Sequence, residues 1–271
     1  MHLVVCVKQV PDTAEVKVDP IKGTLVRAGV PSIANPYDMH ALEAALRIKD
    51  QYGAKVTVVS MGPGQADEVI KRSVSLGADE GYLLSDKAFA GSDTLATSHI
   101  LAQAIKAIGK KEKVDMVFCG KMAIDGDTAQ VGPGIASRLG FSVATYVVGI
   151  REVDVKGRKI VVERRLEKGV EVVEMDLPAL LTINKEANEI RYAALPTLID
   201  SIKYKVPLWT ADSFPLDLKQ CGLKGSPTQV KKIFPPPPKE VETVMVTDST
   251  QDPAEIAKFL VDKIEEAGLL S

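Results

Sequence analysis

Asp125, Gly126, Asp127 and Thr128 form a polar, glycine-bearing loop between two apolar patterns, the placement an anion site requires. Upstream, residues 116–119 (Met-Val-Phe-Cys) are a short apolar run that reads as a buried strand. Downstream, Val131, Ile135, Ala136 and Leu139 recur at helical spacing. A strand, a glycine-bearing loop and a helix start aim free backbone N–H groups and the positive end of the helix dipole at one point, where a phosphate fits. Gln130, Val131, Gly132 and Pro133 extend that cradle. The loop matches neither of the common glycine-rich phosphate motifs. On the residues alone, an ordinary turn capped by Asp127 or Thr128 explains it at least as well. Carboxylates beside a phosphate are unfavourable, so Asp125 and Asp127 are expected to point away and brace the loop while N–H groups face the ligand.

Four further groups of residues invite the same question. Cys6 and Met61 end apolar runs, where main-chain groups could hold a planar base, and plain core explains them equally. Asn35 and Tyr37 lead into a helical pattern. Asp38, just inside that pattern, could accept from a sugar hydroxyl or cap the helix. Asp93, Thr94 and Thr97 open another helix on a third loop. His2, His40 and His99 are scattered and offer no metal or catalytic cluster.

The elements that must position these residues alternate. Residues 3–7 read as a strand and 16–27 as a hairpin turning near Asp19-Pro20 and Lys22-Gly23. Residues 37–51 read as an amphipathic helix, 55–61 as a buried strand, and 65–76 as a helix ending at Gly77. A strand at 82–84, a helix at 94–108 and a strand at 115–119 follow. This alternation predicts a mostly parallel sheet with helices on both faces, with ligands collecting outside the strands' carboxyl ends. Lys8, Gln9, Gly62 and Pro63 lie at such ends, as does the 125–128 loop.

From about residue 145 the pattern becomes an extended antiparallel set, at 146–153, 159–165, 170–175 and 179–182. The expected organisation is an α/β domain at 1–205, with this antiparallel extension, and a C-terminal arm at 206–271. Residues 235–238 are four prolines, stiff and extended. A final helix follows, capped by Asp252 with Pro253 in its first turn. Its stripe of Ile256, Phe259, Leu260 and Ile264 needs a surface, on its own domain or on a partner.

Composition narrows the function classes. The 271 residues carry 34 basic and 36 acidic side chains, net −2, which points away from nucleic acid and anionic membranes. No apolar run approaches the length of a membrane span. Three cysteines without paired spacing fit a reducing cytoplasm, and the chain shows no hydrolase constellation.

At residues 162–182, Val-Glu-Arg-Arg-Leu-Glu-Lys-Gly-Val-Glu-Val-Val-Glu-Met-Asp-Leu-Pro-Ala-Leu-Leu-Thr, the chain resembles the β subunit of electron transfer flavoproteins. Lys168 stands where that family usually has Gly or an acidic residue. Supporting matches are residues 6–10 (Cys-Val-Lys-Gln-Val), 35–38 (Asn-Pro-Tyr-Asp), 61–63, 77–79, the 120–133 loop and 191–196 (Arg-Tyr-Ala-Ala-Leu-Pro). They run in order to about residue 205 and more loosely beyond.

The resemblance implies a Rossmann-like core that binds an adenine nucleotide and an obligate heterodimer with an α subunit, which the arm wraps. The nucleotide is AMP in ordinary members and a second FAD in electron-bifurcating ones. Residues 35–41, 91–97 and 125–133 look like the bifurcating branch. There, FAD takes hydride from NADH and sends electrons to ferredoxin and, through the α subunit, to an acyl-CoA or other flavin dehydrogenase. The alternatives are a structural AMP-binding β subunit and, more distantly, a universal-stress-like ATP-binding protein. Leu195, Pro196 and Ile199, in an exposed-looking apolar segment stiffened by proline, are expected to dock the dehydrogenase; the bland reading of Leu195 is core.

Overall fold

The computed structural model describes residues 1–12, 17–18, 25–26, 31–231 and 252–269. In chain order its strands are β1 (His2–Cys6), β2 (Gln9–Pro11), β3 (Lys17–Val18), β4 (Leu25–Val26), β5 (Ser32–Ala34), β6 (Lys55–Met61) and β7 (Glu80–Leu84). They continue with β8 (Met116–Gly120), β9 (Ser142–Asp154), β10 (Lys159–Leu166), β11 (Gly169–Asp176), β12 (Ala179–Ile183) and β13 (Leu208–Trp209). The helices are α1 (Pro36–Tyr52), α2 (Asp67–Leu76), α3 (Thr94–Gly109), α4 (Val131–Leu139), α5 (Leu195–Lys203), α6 (Gly222–Gly225) and α7 (Pro253–Glu266).

Among the described residues, nine strands form one sheet in the order β11-β10-β9-β12-β8-β1-β6-β7-β13. From β12 to β13 every pairing is parallel. The chain winds outward one way through β1, β6 and β7, then returns to place β8 on the other side of β1. That reversal is a switch point, where adjacent crossovers leave the sheet on opposite faces and open a crevice.

The buried strands are apolar on both sides because both faces are covered. Leu3, Val5, Val56, Val58, Met116 and Phe118 join α1 and α2 in one core. Val4, Cys6, Val59, Val117 and Cys119 join α3 and α4 in the other. Period-2 alternation of side chains makes the division.

One expectation is corrected here. Residues 179–182 do not belong to an antiparallel set: β12 is inserted parallel between β8 and the first half of β9. The run Ala-Leu-Leu-Thr-Ile is wholly buried, as a central parallel strand requires, whereas the antiparallel β9–β10–β11 layer is only partly buried and β11 is largely exposed. The hairpin expected at 16–27 is seen as the pairing of β3 with β4; its turn, like the proline run at 235–238, lies outside the described residues.

The chain divides into two compact units, Met1–Ile233 and Phe234–Ser271. In the first, β13 adds to the edge of β7 and residues 210–228 return toward α3. In the second, α7 starts at the Asp252 cap, which accepts the Ala254 N–H at 3.0 Å. No helix among the described residues is long and apolar enough to cross a membrane.

Candidate functional site

A cleft of about 340 Å³ opens at the carboxyl ends of β1, β6 and β8, on the side facing α3 and α4. Cys6, Val59, Met61 and Cys119 line it because they fall on that side of their strands. Cys6 and Cys119 are free, buried thiols on neighbouring strands. The Cys6 thiol beside it, together with burial, pushes the Cys119 thiol up.

The 120–132 loop forms one wall. Ala123 O accepts the N–H groups of Gly126 at 3.2 Å and Asp127 at 2.9 Å, which folds the loop back on itself. Asp127 (φ 51°) and Ala129 (φ 54°) then take left-handed conformations that turn the chain toward α4. The N–H groups of Thr128, Ala129, Gln130, Val131 and Gly132 are left without an acceptor among the described residues. Pro133 has no N–H to satisfy. Five free donors in succession at a helix start are the donor set an anion can use. Neither Asp127 nor Thr128 caps α4, as an ordinary turn would require; Gln130 occupies the cap position and its side chain makes no capping bond.

Gln130 instead ties the walls together, its Oε1 accepting the Thr94 hydroxyl at 2.7 Å. Asp93 caps α3, accepting from Leu95 and Ala96 at 3.0 and 3.1 Å, and also holds the backbone N–H and hydroxyl of Thr228. Burial pushes the Asp93 pKa up, but the hydrogen bonds from Ala96, Thr228 and Leu95 outweigh it and hold the carboxyl below its usual range.

Asp38 is buried where α1 meets the strand ends. It accepts the Lys8 N–H at 2.8 Å and the Gly120 N–H at 3.0 Å, so it neither caps α1 nor offers a free carboxylate to a sugar. Burial raises its pKa from 3.8 to about 7 despite those bonds. Asn35, fully buried, braces the loop: its amide donates to Met122 O at 2.9 Å and its oxygen accepts the Ile124 N–H at 3.2 Å.

A second groove, of about 960 Å³, continues outward from the cleft and shares Lys8, Met61, Ser92, Asp93 and Gly126 with it. Asp125, Gln65, Thr228 and Val230 lie along this outer part. Lys8 Nζ grips Asp125 through both oxygens at 2.7 Å. Lys121, the other cation lining the cleft, sits 5.1 Å over the Tyr146 ring.

Of the residues read from the sequence, Cys6, Asp38, Met61, Asp93, Thr94, Thr97, Gly126, Asp127, Thr128, Gln130, Val131 and Gly132 meet around the cleft. Asp125 lines the outer groove. Asn35, Tyr37 and Pro133 do not line either cavity. Leu195, Pro196 and Ile199 are exposed on α5, far along the chain from this site. Lys121, Ala129 and Thr228 were not singled out in the sequence; only the left-handed turn explains Ala129, and Thr228 lies in a segment with no motif.

The electron transfer flavoprotein domain model matches residues 22–209. The chain belongs to the electron transfer flavoprotein family. The resemblance to β subunits read from residues 162–182 is thereby borne out, and individual relatives agree. The chain is 54% identical over 232 residues to the electron transfer flavoprotein subunit beta of Clostridium acetobutylicum, covering 86% of this chain and 87% of that one. It is 48% identical over 271 residues to the caffeyl-CoA reductase-Etf complex subunit CarD of Acetobacterium woodii, end to end in both. It is 49% identical over 257 residues to protein FixA of Azorhizobium caulinodans, covering 94% and 92%. As an electron transfer flavoprotein chain, it is tied to electron transport with a flavin partner.

Proposed function

We propose that this chain is the β subunit of a heterodimeric electron transfer flavoprotein that holds FAD in the cleft and outer groove and takes hydride from NADH. The observation that carries this reading is the run of five unpartnered N–H groups at 128–132 beside a groove that extends well past the cleft. The cradle suits a phosphate, and the outer groove provides room for what lies beyond an adenine nucleotide. When bound, FAD would supply the two-electron acceptor chemistry that no side chain here provides.

The chain's own residues would bind and orient. The 128–132 N–H groups take the phosphate, Cys6 and Met61 border the inner end, and Thr94 with Gln130 hold the two helix starts in register. Asp38 ties the chain just after β1 to the end of β8, one wall of the cleft to the other. The carboxylates near the phosphate path are occupied: Asp125 is paired with Lys8, and Asp93 is committed to four donors.

In this reading the partners are an α subunit, an acyl-CoA or other flavin dehydrogenase, and ferredoxin as the low-potential acceptor. The CarD relative's reductase complex and the β-subunit relatives support the first two. A structural AMP-binding subunit is the second reading, favoured by the inner cleft alone, which suffices for a mononucleotide. Co-purifying the heterodimer, extracting its nucleotides in acid and counting flavins separates them. Two flavins and no AMP support the first reading; one flavin with AMP overturns it.

A further inference from the structure

We propose that Lys8 is the residue by which this site distinguishes a nucleoside diphosphate from a monophosphate, its ammonium leaving Asp125 for the second phosphate. The inference rests on the reading that the cleft holds an adenine nucleotide. Lys8 follows β1 directly and lines both the inner cleft and the outer groove. Among the described residues it is the one cation lining both, since Lys121 lines the inner cleft alone. The five free N–H groups at 128–132 lie in the inner cleft and suffice for a first phosphate.

A ligand that continues outward must pass the Lys8–Asp125 pair, where the groove otherwise presents the carboxylates of Asp93 and Asp125. Those repel a second phosphate unless a cation meets it. Asp93 is already held by Leu95, Ala96 and Thr228, so Asp125 is the acid that Lys8 offsets. The pair is suited to exchange. Its side chains are 47% and 29% exposed, and a solvent-screened ion pair of this kind holds weakly. A phosphate dianion accepts more strongly than a carboxylate already facing water. Asp125, once released, remains solvated and needs no new partner.

Calorimetric titration of the nucleotide-stripped heterodimer with AMP and ADP tests this without redox turnover. Wild type should bind ADP more tightly than AMP. Lys8→Met should lose about tenfold in ADP affinity with AMP unchanged, and Lys8→Arg should keep most of the preference. Asp125→Asn should bind ADP several-fold more tightly than wild type, since nothing then competes for Lys8. If Lys8→Met weakens both nucleotides alike, the pair only braces the loop and the proposal falls. It falls equally if Lys8→Met changes neither. Should wild type bind neither nucleotide, the nucleotide reading itself fails, an outcome distinct from failure at Lys8.

Discussion

Asp38 Oδ1 accepts the Gly120 N–H at 3.0 Å across 82 residues of sequence, joining the first turn of α1 to the end of β8. Its other oxygen takes Lys8 N–H, so one carboxylate sets the spacing of the two strand ends that flank the cleft. The approach is close: a Cβ on Gly120 would come within 2.6 Å of the Tyr37 carbonyl carbon.

That arrangement makes stability depend on pH in a definite direction. Burial raises the Asp38 pKa from 3.8 to about 7, so the folded protein holds the proton more tightly than the unfolded chain. This residue's contribution is complete below 3.8 and is lost as pH rises through about 7. Asp38→Asn keeps the shape without the charge but accepts only one of the two N–H groups. Thermal midpoints of the wild-type and variant heterodimers from pH 4 to 8 should show the variant gaining on wild type as pH rises. A pH-independent gap would refute the assignment.

The mostly parallel sheet with helices on both faces was legible in the sequence because strand–helix alternation and apolar runs are local signals, whereas the strand order that makes the switch point is not local. β12 was misread for a physical reason: a short buried strand following two antiparallel partners carries no local mark of its neighbours, which come from residues 116–120 and 142–147. The loop at 125–133 and most of its free N–H groups, at Thr128, Gln130, Val131 and Gly132, were legible in the sequence, but the exclusion of Gly126 and Asp127 from that set was not. Gly126 and Asp127 spend their N–H groups on Ala123, and left-handed turns at Asp127 and Ala129 move the free donors downstream. Asp38 reads in the sequence as a helix cap or an acceptor for a sugar hydroxyl, yet its partners lie in β8 and beyond β1, which helix-capping logic cannot reach.

Two glycines of this loop should fail differently. A Cβ at Gly126 meets nothing within 4 Å, and its φ is not left-handed, so Gly126→Val should leave the melting temperature unchanged. Gly126 lines both the cleft and the outer groove, so on the two-flavin reading a valine there fills ligand space, and the β-bound flavin should be lost while the α-bound one remains. A Cβ at Gly132 lies 2.6 Å from Thr182 Cγ2 in β12, so Gly132→Val should destabilise the fold by about 1–3 kcal/mol through overpacking. Flavin counting and urea unfolding on both variants check the contrast; equal destabilisation would contradict it.

Arg191 should be a stabilising staple rather than part of the chemistry. Its Nε lies 2.8 Å from Oε2 of the buried Glu43, and its Nη2 reaches Asp50 at 2.7 Å. Burial pushes Glu43 up, but the hydrogen bonds from Arg191 and Arg47 outweigh it and hold the carboxyl below its usual range. Arg191→Met leaves that carboxylate with Arg47 as its one charged partner and should cost about 2 kcal/mol at neutral pH. Since the Glu43 pKa is depressed, its contribution is present above the unfolded value and disappears as pH falls through the folded one. Urea unfolding should therefore show the gap between variant and wild type shrinking in acid, and a gap that widens would overturn the staple.

Leu195 begins α5 and is 70% exposed, with Ile202 at 75% and Ile199 at 45% on the same short helix. With Leu198 at 40%, four of the helix's nine residues are exposed aliphatics, and an exposure of 70% removes the reading of Leu195 as core. Pro196 in the first turn fixes the helix start, so an anchor placed there loses little entropy on docking. An apolar anchor of this kind is worth about 2 kcal/mol when a partner buries it. Leu195→Ala should therefore slow electron transfer to the partner dehydrogenase by roughly thirtyfold at limiting concentration, with flavin content and melting temperature unchanged. Stopped-flow reduction of the dehydrogenase by the reduced heterodimer measures this directly. An unaltered rate would show that docking uses another surface, and a large drop in melting temperature would show that Leu195 supports the fold after all.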